Sequence, residues 1–212
     1  MKKKQIPSPA ILNQFQLEDK TTVAESFGNG HINDTFLMKN SEGKAKYILQ
    51  RINHNIFKDV DMLQNNIRIV TSHIREKLIA SGEMDIERKV LTFLPAEDGK
   101  FYHFDGNSYW RVCLFISDSK THKEVSPEYS FEAGKAFSRF QEMLSDIPEG
   151  TIDEIIFNFH NMEFRLKQFK EAIDANIAGR LDEARKLVDE LLERSETFCI
   201  QEQLYREGKL KK

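Results

Sequence analysis

Gly28, Asn29 and Gly30 lie between two strand-like runs, residues 21–27 and 33–39, and their types suit phosphate chemistry. Glycine accepts the positive φ of a tight turn, so the triplet predicts a hairpin. The missing side chains also let backbone N–H groups approach a phosphate chain. After a second turn at 41–44, the apolar run Tyr47-Ile48-Leu49 ends in Gln50 and Arg51, whose side chains are long enough to reach the same phosphates. Strand alternation puts Leu49 and Arg51 on one face and Ile48, Gln50 and Ile52 on the other. Only one of Gln50 and Arg51 can therefore meet a bound anion, and charge complementarity favours Arg51. Asn33 and Asp34 suit side-chain-to-backbone bonds that pin the loop. The plain alternative is a hairpin that only connects strands.

The elements that must position these residues follow from periodicity. Residues 10–15 make a short helix after Pro7-Ser8-Pro9. Asp59 or Asp61 caps a helix reaching about Leu78, whose stripe is Leu63, Ile67, Val70, Ile74 and Leu78. Ser81-Gly82-Glu83 ends it. Strands are expected at 90–94, 101–104 and 108–116, with turns at 97–100 and 105–107. The last strand, SYWRVCLFI, is the most apolar and belongs mid-sheet, with Trp110 and Cys113 in the core. Arg111 within it needs a partner or an open face. Beyond Ser117-Asp118-Ser119 the pattern is helical. Pro127 opens a helix with the stripe Ala133, Phe137, Phe140 and Leu144, and further helices cover 161–176 and 181–207. The fold class is α+β, with an antiparallel sheet and one helix in 1–117 and helices alone in 118–212.

Composition excludes several classes. A net charge of -3 over 212 residues argues against nucleic-acid binding, which needs a concentrated basic field. No stretch is long enough for a membrane span, and the leading Met-Lys-Lys-Lys has no apolar run behind it. Cys113 and Cys199 make a poor disulfide framework, so the cytoplasm is the expected compartment. His73, His103, His122 and His160 lack metal-like spacing.

FGNGHINDTF, YILQRIN followed by IF, the helix ending IVTSH, the strand YWRVCLFI, and FEAGKAFSRFQEML followed by FNFHNMEFRLKQFKEAI carry a family likeness. From about residue 20 onward the chain resembles the N-acetylhexosamine 1-kinases of the aminoglycoside phosphotransferase and choline kinase superfamily. The resemblance implies a kinase-like nucleotide-binding N-lobe over 1–117 and the first helices of a C-lobe over 118–212. It also implies phosphoryl transfer from ATP, with Mg2+, to the anomeric hydroxyl of N-acetylglucosamine or N-acetylgalactosamine. Gly28, Asn29, Gly30, Asn33, Gln50 and Arg51 become nucleotide-binding candidates, and the ungapped match favours Gln50 over Arg51. Phe115, Ile116 and Ser117 are either the connector that meets an adenine edge or an ordinary strand end. His31 faces the acceptor sugar or a phosphate. On the helix after the third strand, Gln64, Asn65 and Asn66 stand where protein kinases carry a glutamate, so a lysine–glutamate pair is not expected.

In the family, a His-Asn-Asp catalytic loop and a metal-binding Asp follow a segment like Tyr205-Arg206-Glu207-Gly208-Lys209-Leu210. The sequence ends at Lys211-Lys212, before both. The expectation is a truncated chain without a catalytic residue or metal ligand, inactive alone, with Phe157, Phe159, Phe169, Leu187, Leu191 and Phe198 short of partners. Such a chain would self-associate or depend on a second polypeptide. The alternative is a residual nucleotide-binding or helical interaction module without chemistry.

Overall fold

The computed structural model describes residues 6–18, 21–28, 30–122 and 124–210. It divides into two compact units, Met1–Ile155 and Ile156–Lys212.

The first unit is built on a six-stranded antiparallel sheet in the order β1-β2-β3-β6-β4, with β5 also paired to β6. The strands are β1 (Thr21–Ser26), β2 (Asp34–Asn40), β3 (Ala45–Ile52), β4 (Phe93–Leu94), β5 (His103–Phe104) and β6 (Tyr109–Leu114). β6 bonds to β3, β4 and β5, so the most apolar strand is mid-sheet as its composition predicts. Phe36, Met38, Tyr47, Leu49, Trp110 and Val112 fill one face. A 3-10 helix, Pro9–Gln14, lays Ile11 and Leu12 over them. Trp110 is satisfied there because its indole N–H donates to Asp105 Oδ2 at 2.7 Å. Burial opposes the Asp105 charge, but N–H bonds from Ser108, Trp110 and Asn107 outweigh it and hold the carboxyl below its ordinary value.

The opposite face receives α1 (Val60–Ala80). Asp59 is its cap, with Oδ1 accepting the Met62 N–H at 2.8 Å. The stripe read from the sequence divides in two. Val60 and Leu63 pack with Ile52 and Tyr102, while Ile74 and Leu78 pack with Val90 and Met143. A short helix α2 (Ile86–Lys89) then occupies ground expected to lead into a strand at 90–94. Asp85 turns left-handed (φ 55°) ahead of it, and only Phe93–Leu94 reaches the sheet. The strands expected at 101–104 and 108–116 are likewise shorter, and the leading helix is 3-10.

The helix α3 (Pro127–Leu144) belongs to the first unit. It is tied to α1 by Lys77, whose Nζ donates to the Met143 carbonyl at 2.7 Å and to Asp146 at 2.5 Å. No residue of α3 is buried, and Phe131 and Phe137 are 67% and 70% exposed.

The second unit holds α4 (Met162–Ala175), α5 (Leu181–Phe198) and α6 (Ile200–Arg206). The helix expected over 181–207 breaks at Cys199. Arg206 returns to pair with Glu163 at 2.7 Å. Phe157, Phe159, Leu187 and Leu191 are exposed, while Phe169 and Phe198 are half-buried. Among the described residues, no helix is long and apolar enough to cross a membrane.

Candidate functional site

The β1–β2 connection runs over residues 27–33 and is closed by a Phe27 N–H bond to the Thr35 carbonyl at 2.8 Å. Gly28 adopts φ +75°, a conformation that favours glycine, and Gly30 does not. Both are exposed, and a Cβ built on either would meet nothing within 4 Å, so the approach to their backbone is open. Asn29 lies outside the described residues.

The α1 face of the sheet carries a row of polar side chains set by strand register. Thr35 pairs with Gln50, and Gln50 with Arg111. Gln50 Nε2 donates to Thr35 Oγ1 at 3.2 Å, and Arg111 Nε donates to Gln50 Oε1 at 3.0 Å. The Arg111 guanidinium lies over the Phe93 ring, 5.1 Å from its centroid. Its Nη1 is sealed from solvent with no hydrogen-bond partner. Burial draws this guanidinium below its ordinary pKa. Five N–H donors on a desolvated cation leave it well suited to an anion.

Arg51 is on the other face. Its guanidinium is held by Asp34 and sits 6.0 Å from the Trp110 centroid. Charge complementarity favoured Arg51, but register places Gln50 on the α1 side, with Arg111 as the adjacent cation. The signal for Arg111 in the sequence was a lone charge inside an apolar strand, and its partner became visible only with the register of β3 and β6.

The remaining candidates scatter. Asn33 accepts the Asn53 N–H at 3.0 Å and so pins the loop to the chain beyond β3. His31 is exposed and lines a polar hollow of about 530 Å³ with Asp34, Arg51, Asn53, His54 and Asn107. Phe115 donates its N–H to the Lys46 carbonyl at 2.9 Å. The Ile116 carbonyl accepts the Ser119 hydroxyl and the Ser117 carbonyl accepts Arg88, at 3.1 and 2.6 Å. The Phe27 ring reaches back to Phe115, edge to face at 5.8 Å, so loop and connector meet on one side of the sheet.

Beside Arg111 a cavity of about 670 Å³ is lined by Ile67, Val70 and Ile74 of α1, Phe93, Arg111 and Phe140 of α3. Cys113 shares the Arg111 face but is buried, which pushes its thiol up to about 11 and keeps it protonated at neutral pH. Among the described residues, no three His, Cys, Asp or Glu side chains converge as metal ligands.

No family model matches the chain. The structure is similar to the crystal structure of an aminoglycoside phosphotransferase from Alicyclobacillus acidocaldarius, with a TM-score of 0.51 and 15% identity. The fold is kinase-like. The likeness covers 92% of this chain and 55% of that one, so the chain spans about half the length of the phosphotransferase it matches. At this identity the likeness establishes architecture, an antiparallel N-lobe sheet with its helix followed by further helices.

Proposed function

We propose that this chain is the nucleotide-binding part of an ATP-dependent phosphotransferase of the aminoglycoside phosphotransferase and choline kinase type, acting on the anomeric hydroxyl of an N-acetylhexosamine. The observation that carries the reading is the polar row Thr35–Gln50–Arg111, which ends in a buried, unpartnered cationic N–H. A buried donor without a partner costs about 1–3 kcal/mol, which a phosphate oxygen would recover. ATP fits these residues. The backbone of Gly28 and Gly30 covers its phosphates, Gln50 is held in place by Arg111, and the adenine edge meets the chain at Ile116 and Ser117. Bound there, the nucleotide supplies the transferable phosphoryl group. Magnesium does not fit in the same way, because the described residues provide no carboxylate cluster. The proton-accepting carboxylate and the metal ligands then come from outside these residues, through a longer chain or a second polypeptide. The working compartment on this reading is the cytoplasm, where ATP is abundant.

Calorimetric titration of ATP, with and without magnesium, tests the reading. Saturable binding is expected, weakened about tenfold or more in Arg111→Met by loss of a charge-assisted hydrogen bond. Absence of binding to the wild-type chain would sink it.

A second reading has its own support, since α3 buries no residue and keeps Phe131 and Phe137 exposed. On that reading the chain is a helical interaction module without chemistry. Concentration-dependent mass in light scattering, together with no ATP binding, would favour it.

A further inference from the structure

A second polar hollow lies along α1 and shares Ile67, Thr71 and Phe93 with the cavity beside Arg111. A hollow of about 120 Å³ opens between this helix and the β4 edge of the sheet, lined by Gln64, Arg68, Thr71 and Arg75 of α1 and by Thr92 and Phe101. Gln64 is 5% exposed, and neither its Nε2 nor its Oε1 has a hydrogen-bond partner. Buried amides are normally satisfied, and an amide orphaned at both ends calls for something that accepts and donates at once.

The surrounding charge narrows the choice. Arg68 Nη2 donates to Asn65 at 3.1 Å, and Arg75 Nη2 donates to Thr92 Oγ1 at 2.5 Å. Each guanidinium has five N–H donors, so both keep donors in reserve. Among the ion pairs of the described residues, Arg75 meets the carboxylate of Glu87 at 3.5 Å, and that carboxylate is 62% exposed. Thr71 spends its hydroxyl proton on the Ile67 carbonyl at 2.8 Å, which leaves its oxygen as an acceptor facing the hollow. The hollow is therefore lined by two cations, with the Gln64 amide, whose polar atoms are buried, in its wall.

We propose that this hollow binds a small oxyanion that carries its own O–H, such as hydrogen phosphate or a short hydroxycarboxylate. The anionic oxygens take Arg68, Arg75 and the Gln64 N–H, and the hydroxyl donates to Gln64 Oε1 or Thr71 Oγ1. The volume is about that of four waters in the liquid, enough for a tetrahedral anion and too little for a nucleotide. Because the ligand would bridge α1 to the β4 edge, its occupancy fixes the helix against the sheet.

The test titrates inorganic phosphate and, separately, glycolate into the full chain at constant ionic strength, following heat release and the thermal midpoint. ATP is held saturating in a parallel arm, so that phosphate entering a nucleotide site is not counted. Saturable binding that persists in the presence of ATP is expected. It should weaken about tenfold or more in Gln64→Leu and in Arg75→Met, and be retained in Arg111→Met. Acetate, which lacks the hydroxyl, should bind more weakly than glycolate. Two results would overturn the proposal. One is no saturable binding by either probe. The other is binding unchanged by Gln64→Leu, which would mark the hollow as holding water alone. Loss of ATP binding with this site intact would count against the nucleotide reading and leave this one standing.

Discussion

The two faces of the one sheet are built to opposite rules. On the face under the 3-10 helix, Phe36, Met38, Leu49 and Val112 are all but sealed, at 0–1% exposure, and Trp110 has its single donor satisfied by Asp105. On the α1 face the same strands present Thr35, Gln50 and Arg111. There Arg111 Nη1 and both amide atoms of Gln64 are buried without partners. A chain selected only to fold would not leave three buried polar atoms on one face while satisfying the other, because each costs about 1–3 kcal/mol. The asymmetry separates a face whose polar groups are satisfied from one where buried polar groups stand without partners.

The largest effect expected from breaking this contrast is on the closed face. Leu49→Ala should cost about 2–5 kcal/mol in urea unfolding, since Leu49 is fully buried between neighbours that cannot all collapse onto the void. Arg111→Met, one residue from Val112, the register partner of Leu49, should behave differently. It removes a desolvated charge and keeps the volume, so stability should hold within about 1 kcal/mol or rise, while ATP affinity falls. If both substitutions destabilise equally, the α1 face is core like the other and the contrast fails.

Much of this layout was legible in the residues. Alternation alone assigned Leu49 and Arg51 to one face and Gln50 to the other. The aspartates at 59 and 61 announced α1, of which the structure uses Asp59, and Pro127 announced α3. The bond from Arg111 to Gln50 was not legible, because it depends on how β3 and β6 are registered, which is a long-range fact. Gln64 was visible as one of three residues, with Asn65 and Asn66, where protein kinases carry a glutamate, but not as a buried one. It adjoins the Leu63–Ile67–Val70 stripe, and which helical neighbour is covered depends on where β4 lands. The strand expected at 90–94 came out short because Asp85 starts a turn of helix that no propensity in residues 86–89 forbids. The break between α5 and α6 at Cys199 carries neither Gly nor Pro to give it away.

A smaller effect is expected where α1 meets α3. Asp146 bonds Lys77 and His73, at 2.5 and 2.9 Å, and the Lys77 ammonium, followed by His73, holds its carboxyl at about 2, below its ordinary 3.8. A carboxyl depressed in the folded state adds stability that is fully present above its unfolded pKa and is lost as pH falls through the folded one. The contribution is therefore present above about pH 4 and disappears on the way to pH 2. Thermal midpoints of Asp146→Asn and wild type should differ by a constant amount above that window and converge within it. Parallel curves down to pH 2 would mean the contact does not exist in solution.

The smallest expected effect is the most discriminating. Arg51 is as good a cation as Arg111 by sequence, and it sits one residue from Gln50. Yet its partners are Asp34 and the Trp110 ring, and its side chain is 43% exposed. Exposed pairs of this kind contribute about 0–1 kcal/mol, so Arg51→Ala should scarcely shift the urea midpoint. More to the point, it should leave ATP affinity where it was, while Arg111→Met lowers it. The two substitutions remove the same charge from neighbouring strands and empty opposite faces of the sheet. A loss of affinity in Arg51→Ala equal to that in Arg111→Met would show that the nucleotide answers to net charge at this end of the sheet rather than to the α1 face. The pairing of Gln50 with Arg111 on the α1 face would then have no functional meaning.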